Sequence, residues 1–392
     1  MNNVEYIVGD APILAQMPQI SAWKPFDVRA IDFCGKLSQS LIQAKNYADY
    51  PDLVTLAFWL RHNNVKKIAA QYADMRNSLG RGLIFHIAPG NTALAFAYSL
   101  ITGLLTGNTN IIRLPSRSFA QGQLFCDVLN NLLHSESEIA TRICLIKYPH
   151  DKEITDQFSA MCQTRIIWGG DNTINTIRQS PLKPRATEIT FANRFSVCVI
   201  NADKYLAEYE PKKTAHNFYI DTYLTDQNAC SSPRIVFWLG EKIDEAKEIF
   251  WSALYDEITE YEIAPVTTVD RMLNFCKYAA NHKCLLTMQN DCRIMRVQVD
   301  NVNTDILNNI GHSGFFYECD ITNIEDILPL CLWELQTISY IGIDGGDISR
   351  MILDNAPQGV DRIVPTGRTM DFSLVWDGRD VVREMTRVVA SG

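Results

Sequence analysis

The stretch Gly80-Arg81-Gly82-Leu83-Ile84-Phe85-His86-Ile87-Ala88-Pro89-Gly90-Asn91 joins five strand-forming residues to a Pro-Gly loop. An apolar segment, Ala93 to Leu105, follows, bounded by Gly90-Asn91 and Gly107-Asn108. It falls short of the roughly 20 residues needed to cross a bilayer, so it reads as a buried helix. A second strand is expected from Thr109 to Leu114. Strand, loop, helix and strand together form the opening unit of a parallel sheet. In such a unit the loop lies at the carboxyl edge, where a helix N-terminus favours negative charge. On this segment alone an ordinary strand and turn is an equal reading, with Asn91 as a helix cap.

The alternation continues outward. Gln121 to Leu133 reads as a helix, Ile143 to Tyr148 as a strand, Ile154 to Met161 as a helix and Arg165 to Trp168 as a strand. Gly169-Gly170 then opens a helix through Arg178, and Ser196 to Ile200 is expected to close the series. Upstream, Phe33, Leu37, Leu41 and Ile42 recur at helical spacing, as do Leu53, Leu56, Ala57 and Leu60. The pattern is that of a doubly wound α/β domain. A second α/β unit begins after about residue 201, with helices from Ile243 to Glu260 and Arg271 to Ala280. Its strands are expected from Arg293 to Val299 and from Gly314 to Glu318. The expected division is a cofactor domain with N-terminal helices over 1–202 and a catalytic domain over 203–360. A tail over 361–392 packs on the first domain or on a partner subunit.

The length of 392 residues points to two or three domains. A hydrophobic share of 47% with 21% charged residues is that of a globular protein, and a net charge of −9 argues against nucleic acid as the main partner. The eleven cysteines contain no C-x-x-C pair, and Cys276, Cys284 and Cys292 do not have ligand spacing. No metal site is expected. Reduced thiols, the lack of a signal-like N-terminus and the lack of a membrane span lead to a cytoplasmic expectation.

One cysteine stands apart. Asp226-Gln227-Asn228-Ala229-Cys230-Ser231-Ser232-Pro233 sets Cys230 among small and polar residues just before the apolar run Ile235-Val236-Phe237-Trp238-Leu239. A partly exposed thiol held by a turn suits a nucleophile. A core filler is the commoner role for a cysteine, but Asn228, Ser231 and Ser232 are poor core residues. Arg113, Ser116 and Arg117 close the second strand, either as solvent-facing charges or as a phosphate-binding set. Gly169-Gly170-Asp171 permits close approach of a cofactor or makes a simple turn. His216 and His312 are acid–base candidates, each also readable as structural.

Taken together with Gly107-Asn108-Thr109 and Trp168-Gly169-Gly170-Asp171, these motifs resemble the acyl-CoA reductase family typified by LuxC. That family is part of the aldehyde dehydrogenase superfamily. The resemblance runs from about Gly80 to Asp377-Gly378. It implies an aldehyde dehydrogenase-like fold with a doubly wound cofactor domain and a second α/β catalytic domain. Carried over residue by residue, it makes Cys230 the acyl-accepting nucleophile and Asn91 the oxyanion-hole amide. Arg113, Ser116, Arg117, Trp168, Gly169, Gly170 and Asp171 become the cofactor contacts. Arg113 stands where the superfamily has a ribose-contacting lysine. The basic character around Arg117 implies NADPH, with NADH as the alternative.

Two departures from the superfamily matter. The general-base glutamate of hydrolytic members aligns with Phe191, although Glu188 lies close by. The second ribose-binding glutamate falls near Asn308 or Gly311. Without a base to activate water, a thioester persists until a thiol or a hydride takes it. The implied activity is NAD(P)H-dependent reduction of an acyl-CoA or acyl-protein thioester to an aldehyde. The alternatives are a CoA-acylating aldehyde dehydrogenase working oxidatively and a non-catalytic acyl-binding scaffold. An acyl-protein synthetase partner and a homo-oligomeric state are further implications of the resemblance.

Overall fold

A computed structural model describes residues 3–390. The chain divides into two compact units, Met1–Ala192 with Phe372–Gly392, and Asn193–Asp371.

The first unit is built on strands β1 (Glu5–Val8), β2 (Ser78–Gly80), β3 (Leu83–Ile87), β4 (Thr109–Arg113), β5 (Ile143–Lys147), β6 (Thr164–Trp168) and β7 (Thr187–Phe191). Its six-stranded sheet has the order β1-β5-β4-β3-β6-β7. Strands β3 to β7 run parallel, while β1 pairs with β5 antiparallel at the edge. Alternation along the strands feeds both faces. Leu83, Phe85 and Ile87 pack with Phe158, Ile174 and Ile177 of the helices Lys152–Met161 and Asp171–Arg178. Ile112 and Leu145 pack on the opposite side with the helices Ala95–Leu105 and Ala120–Leu133 and with Val28–Gln43. The chain moves from β3 outward to β5, then returns to β6 on the other side of β3. That reversal beside β3 is a topological switch point, where ligands bind doubly wound sheets.

The second unit holds β8 (Phe195–Asn201), β9 (Pro233–Leu239), β10 (Cys284–Met288), β11 (Met295–Val299), β12 (Phe315–Ile321), β13 (Leu335–Ile341) and β14 (Arg362–Pro365). Their order is β10-β11-β12-β9-β8-β13-β14, parallel except for β10. Val197, Val199, Ile235 and Phe237 face one core, and Cys198, Ile200, Val236 and Trp238 the other.

Here the structure departs from expectation. The strand near Ser196 does not close the first sheet; it is β8, inside the second sheet between β9 and β13. A strand buried on both faces looks the same in either sheet, so its sequence carries no mark of membership. The unit boundary therefore falls near residue 192 instead of 202. The segment expected as one tail is divided as well. Its β14 pairs with β13, whereas Leu374, Val381, Val382 and Met385 join Ile84, Ile166 and Ile189 in a core of the first unit. Thr386–Val388 pairs with β2. Among the described residues, no helix is long and apolar enough to cross a membrane.

Candidate active site

Cys230 occupies a turn at the amino end of β9 and is partly exposed. The turn is held firmly. Asp226 and Gln227 adopt left-handed backbone angles, φ 52° and 59°, a conformation that non-glycine residues keep only when the surroundings fix it. The fixing group is the buried Gln227 amide. Its Nε2 donates to the carbonyls of Pro233 at 2.9 Å and Phe315 at 3.2 Å, and its Oε1 accepts from Gly314 N–H at 3.0 Å. Ser231 and Ser232 are buried too. Small polar residues around the cysteine thus mark a hydrogen-bonded buried turn instead of an exposed loop.

The thiol accepts a hydrogen bond from Gln336 Nε2 at 3.1 Å, and the Cys230 carbonyl accepts from Ser196 Oγ at 2.7 Å. Two guanidinium groups, Arg234 and Arg362, lie within electrostatic reach. Burial lowers the pKa of each; Cys230 opposes this for Arg234, and Asp371, Asp221 and Cys230 oppose it for Arg362. Other cysteines contrast with this one. Burial pushes the thiols of Cys34, Cys126, Cys144, Cys198 and Cys331 up to about 12, and those of Cys162 and Cys319 to about 11. Those seven are inert fillers.

In the first unit, the cofactor candidates gather at the carboxyl edge of the six-stranded sheet. Asn91 lies exposed in the bend after β3. It does not cap the following helix, which begins at Ala95 with Leu94 in the N-cap position. The capping role is therefore excluded. Thr92 Oγ1, beside it, is a buried oxygen without a partner. Arg113 ends β4 with its guanidinium 4.6 Å from the Tyr148 ring centre, and its Nε is buried without a partner. Ser116 and Arg117 are exposed in the next loop, with Arg117 4.6 Å from the Phe119 ring centre.

Trp168 ends β6, stacks on Phe191 at 3.7 Å and donates from Nε1 to Ser99 Oγ at 3.2 Å. Gly169 N–H donates to the Phe191 carbonyl at 3.1 Å, Gly170 is the N-cap, and Asp171 opens the helix. Strands β4, β3 and β6 are neighbours, so the loops that follow them lie along one edge of the sheet.

Glu188 is engaged elsewhere. One carboxylate oxygen accepts from Arg165 Nε at 2.9 Å and Nη2 at 2.5 Å, the other from Arg178 Nε at 2.7 Å. Both carboxylate oxygens are thus committed to arginines. The histidine candidates are weak as well. His216 pairs with Glu257 at 2.8 Å on the surface, and burial lowers the pKa of His312, which bonds Ser313 Oγ at 2.8 Å. Sequence reasoning missed Gln336, Ser196 and Arg362, which only strand pairing brings to the cysteine from distant segments, and Arg234, which follows it closely in β9.

Residues 61–388 match the family profile described as acyl-CoA reductase (LuxC). The chain belongs to this family. Curated relatives include the long-chain acyl-protein thioester reductase of Photorhabdus laumondii, 26% identical over 328 residues, which covers 79% of this chain and 63% of that protein. The protein of the same name from Aliivibrio fischeri is 24% identical over 311 residues, covering 75% and 60% respectively. The chain therefore spans about three-fifths of the length of these relatives. Among solved structures, aldehyde dehydrogenase 21 from Physcomitrella patens superposes with a TM-score of 0.65 at 11% identity, covering 96% of this chain and 88% of that one. A lactaldehyde dehydrogenase gives a TM-score of 0.65 at 12% identity, with 96% and 89% covered. The LuxC-family chain thus has the aldehyde dehydrogenase fold.

Proposed function

We propose that this chain reduces an acyl thioester to an aldehyde through a covalent acyl-Cys230 intermediate. The observation that carries the reading is the Cys230 thiol itself: partly exposed, fixed in its turn, and hydrogen-bonded by a neutral amide. The names of the relatives support an acyl-protein thioester as substrate, with acyl-CoA as the alternative donor. An acyl-protein synthetase is the partner that would supply such a thioester.

Cys230 attacks the acyl carbon as a thiolate, a bond from sulfur forms, and the donor thiol leaves. Asn91 contributes its side-chain amide, with the Cys230 N–H, to the oxyanion, as the family resemblance implies. Bound reduced nicotinamide supplies the hydride that turns the thioester into a thiohemiacetal. Collapse of the thiohemiacetal returns the electron pair to Cys230 and frees the aldehyde. By the family resemblance Phe191 replaces the general-base glutamate, and Glu188, the carboxylate of β7, is bound by arginines.

The first unit fits a nicotinamide dinucleotide. Thr92 Oγ1 and Arg113 Nε are buried polar atoms that want partners, and both flank the switch point. Gly169 and Gly170 would hold the pyrophosphate, with Trp168 beside them and Asp171 in the adjoining helix turn. Arg113, Ser116 and Arg117 would take the adenosine ribose, and a guanidinium there suits the 2′-phosphate of NADPH over NADH. Steady-state assays of Cys230→Ala test the covalent reading. Turnover is expected to fall by about three orders of magnitude or more with cofactor binding retained; full activity in the variant would remove the proposal.

A further inference from the structure

The amino edge of the second sheet contains two register shifts, and they bracket Ser196. On β13, Leu335 pairs with Phe195 and Thr337 with Ser196, which leaves Gln336 as an extra residue. On β9, Pro233 pairs with Ser196 and Ile235 with Val197, leaving Arg234 as the extra residue. A bulge re-aims the side chain of its extra residue, and bulges concentrate beside functional sites. Here the first bulge sends the Gln336 side chain past β8, which lies between β13 and β9, to the Cys230 sulfur. Ser196, short enough to let it pass, grips the Cys230 carbonyl from the same side.

The amide has one fixed orientation. Thr337 Oγ1 donates to Gln336 Oε1 at 3.2 Å, so the other end, Nε2, must face the sulfur. Thr337 N–H donates to Ser196 Oγ at 3.2 Å, closing a chain from β13 to the cysteine peptide. Gln336 is only 2% exposed. A buried amide whose acceptor end is engaged presents its donor end, and here Nε2 donates to the Cys230 sulfur.

We propose that Gln336 is a positioning residue that holds the Cys230 sulfur as an aimed thiolate before attack and as the leaving group when the thiohemiacetal collapses. The proposal rests on the covalent reading of Cys230. In the first step the amide N–H stabilises the sulfur lone pair that forms the bond to the acyl carbon, while the donor carbon–sulfur bond breaks and its thiol departs. In the last step the cysteine carbon–sulfur bond breaks, the pair returns to sulfur beneath the same N–H, and the hydroxyl proton is released as the aldehyde forms. Because the amide is neutral, it neither repels the thiolate nor takes a proton from water. Charged groups that act on the sulfur include Arg234 on β9 and Arg362 on β14. Asp371, Asp221 and Arg368 surround Arg362, and His312 with Asp226 lies beyond Arg234.

The test is the pH dependence of iodoacetamide alkylation at Cys230, followed by peptide mass spectrometry in the full chain. Gln336→Met keeps the volume and removes the donor. Its alkylation midpoint is expected about one to two pH units above wild type, with the rate at neutral pH at least about tenfold lower. Gln336→Glu is expected to shift the midpoint upward as well, through like-charge repulsion. Thr337→Val, which frees the amide to turn, gives a smaller upward shift and replaces Gln336→Met should that variant not fold. Superimposed midpoints for wild type and the informative variant overturn the proposal. Such a result with an inactive Cys230→Ala removes the role of Gln336 alone; an active Cys230→Ala removes the covalent reading beneath it.

Discussion

The two sheet edges that hold the candidate residues differ in how their polar groups are engaged. At the carboxyl edge of the first sheet, the candidate groups are exposed or wait for partners: Asn91, Ser116 and Arg117 face solvent, and Thr92 Oγ1 and Arg113 Nε are buried and unsatisfied. At the amino edge of the second sheet the groups that touch Cys230 are bound, while Arg234 Nε and Thr369 Oγ1 stay buried without a hydrogen-bond partner. Gln227 ties three backbone groups together, Ser196 and Gln336 grip Cys230, and Asp221 accepts the N–H groups of Gly367 at 2.7 Å and Thr369 at 3.1 Å. Buried, unpartnered polar atoms at the first edge are what the proposed dinucleotide site would need. The proposed nucleophile is instead tied down on both its sulfur and its carbonyl.

The contrast makes different kinds of variant sort by region. At the first edge, changes are expected to reduce activity without lowering stability. Asn91→Ala is expected to reduce turnover by about 10²–10³ through loss of an oxyanion donor. Its melting temperature should stay at the wild-type value, because the side chain is exposed. A turnover within twofold of wild type would remove Asn91 from the mechanism. Arg117→Ala should cost about tenfold in kcat/KM with NADPH and little with NADH. Equal losses with both cofactors would assign Arg117 to the surface.

At the second edge the expected signature is stability coupled to pH. Burial raises the Asp221 carboxyl from 3.8 to about 7. Between those values the folded state keeps a proton that the unfolded chain has released. Stability from this group therefore falls as pH rises from about 4 through about 7 and stays at the lower level above that. Thermal melts at pH 5 and pH 8 should show wild type losing more stability than Asp221→Asn over that interval. Identical slopes would mean that the carboxyl is ionised throughout.

The first edge was legible in the sequence because its residues are local. Strand, Pro-Gly loop and apolar helix follow one another from Leu83 to Leu105, and the Gly169-Gly170 turn follows its own strand directly. The cysteine was legible from its motif, and its partial exposure matches that reading. Its partners were not. Gln336 stands 106 positions from Cys230 and reaches it only through a bulge across an intervening strand. Ser196 was placed in the wrong sheet, so its bond to the cysteine peptide was hidden. Glu188 illustrates the converse. Near the cysteine motif's expected base in sequence, it is bound by Arg165 and Arg178 for reasons that only the fold reveals.

The central claim is that Cys230 carries the acyl group. Its most direct test is to mix the protein with an acyl thioester in the absence of reduced cofactor and to map the adduct by peptide mass spectrometry. The account predicts one acyl group on the peptide containing Cys230, absent in Cys230→Ala and discharged as aldehyde once NADPH or NADH is added. Reduction that proceeds at the wild-type rate with no acyl group ever detected on Cys230 would contradict it.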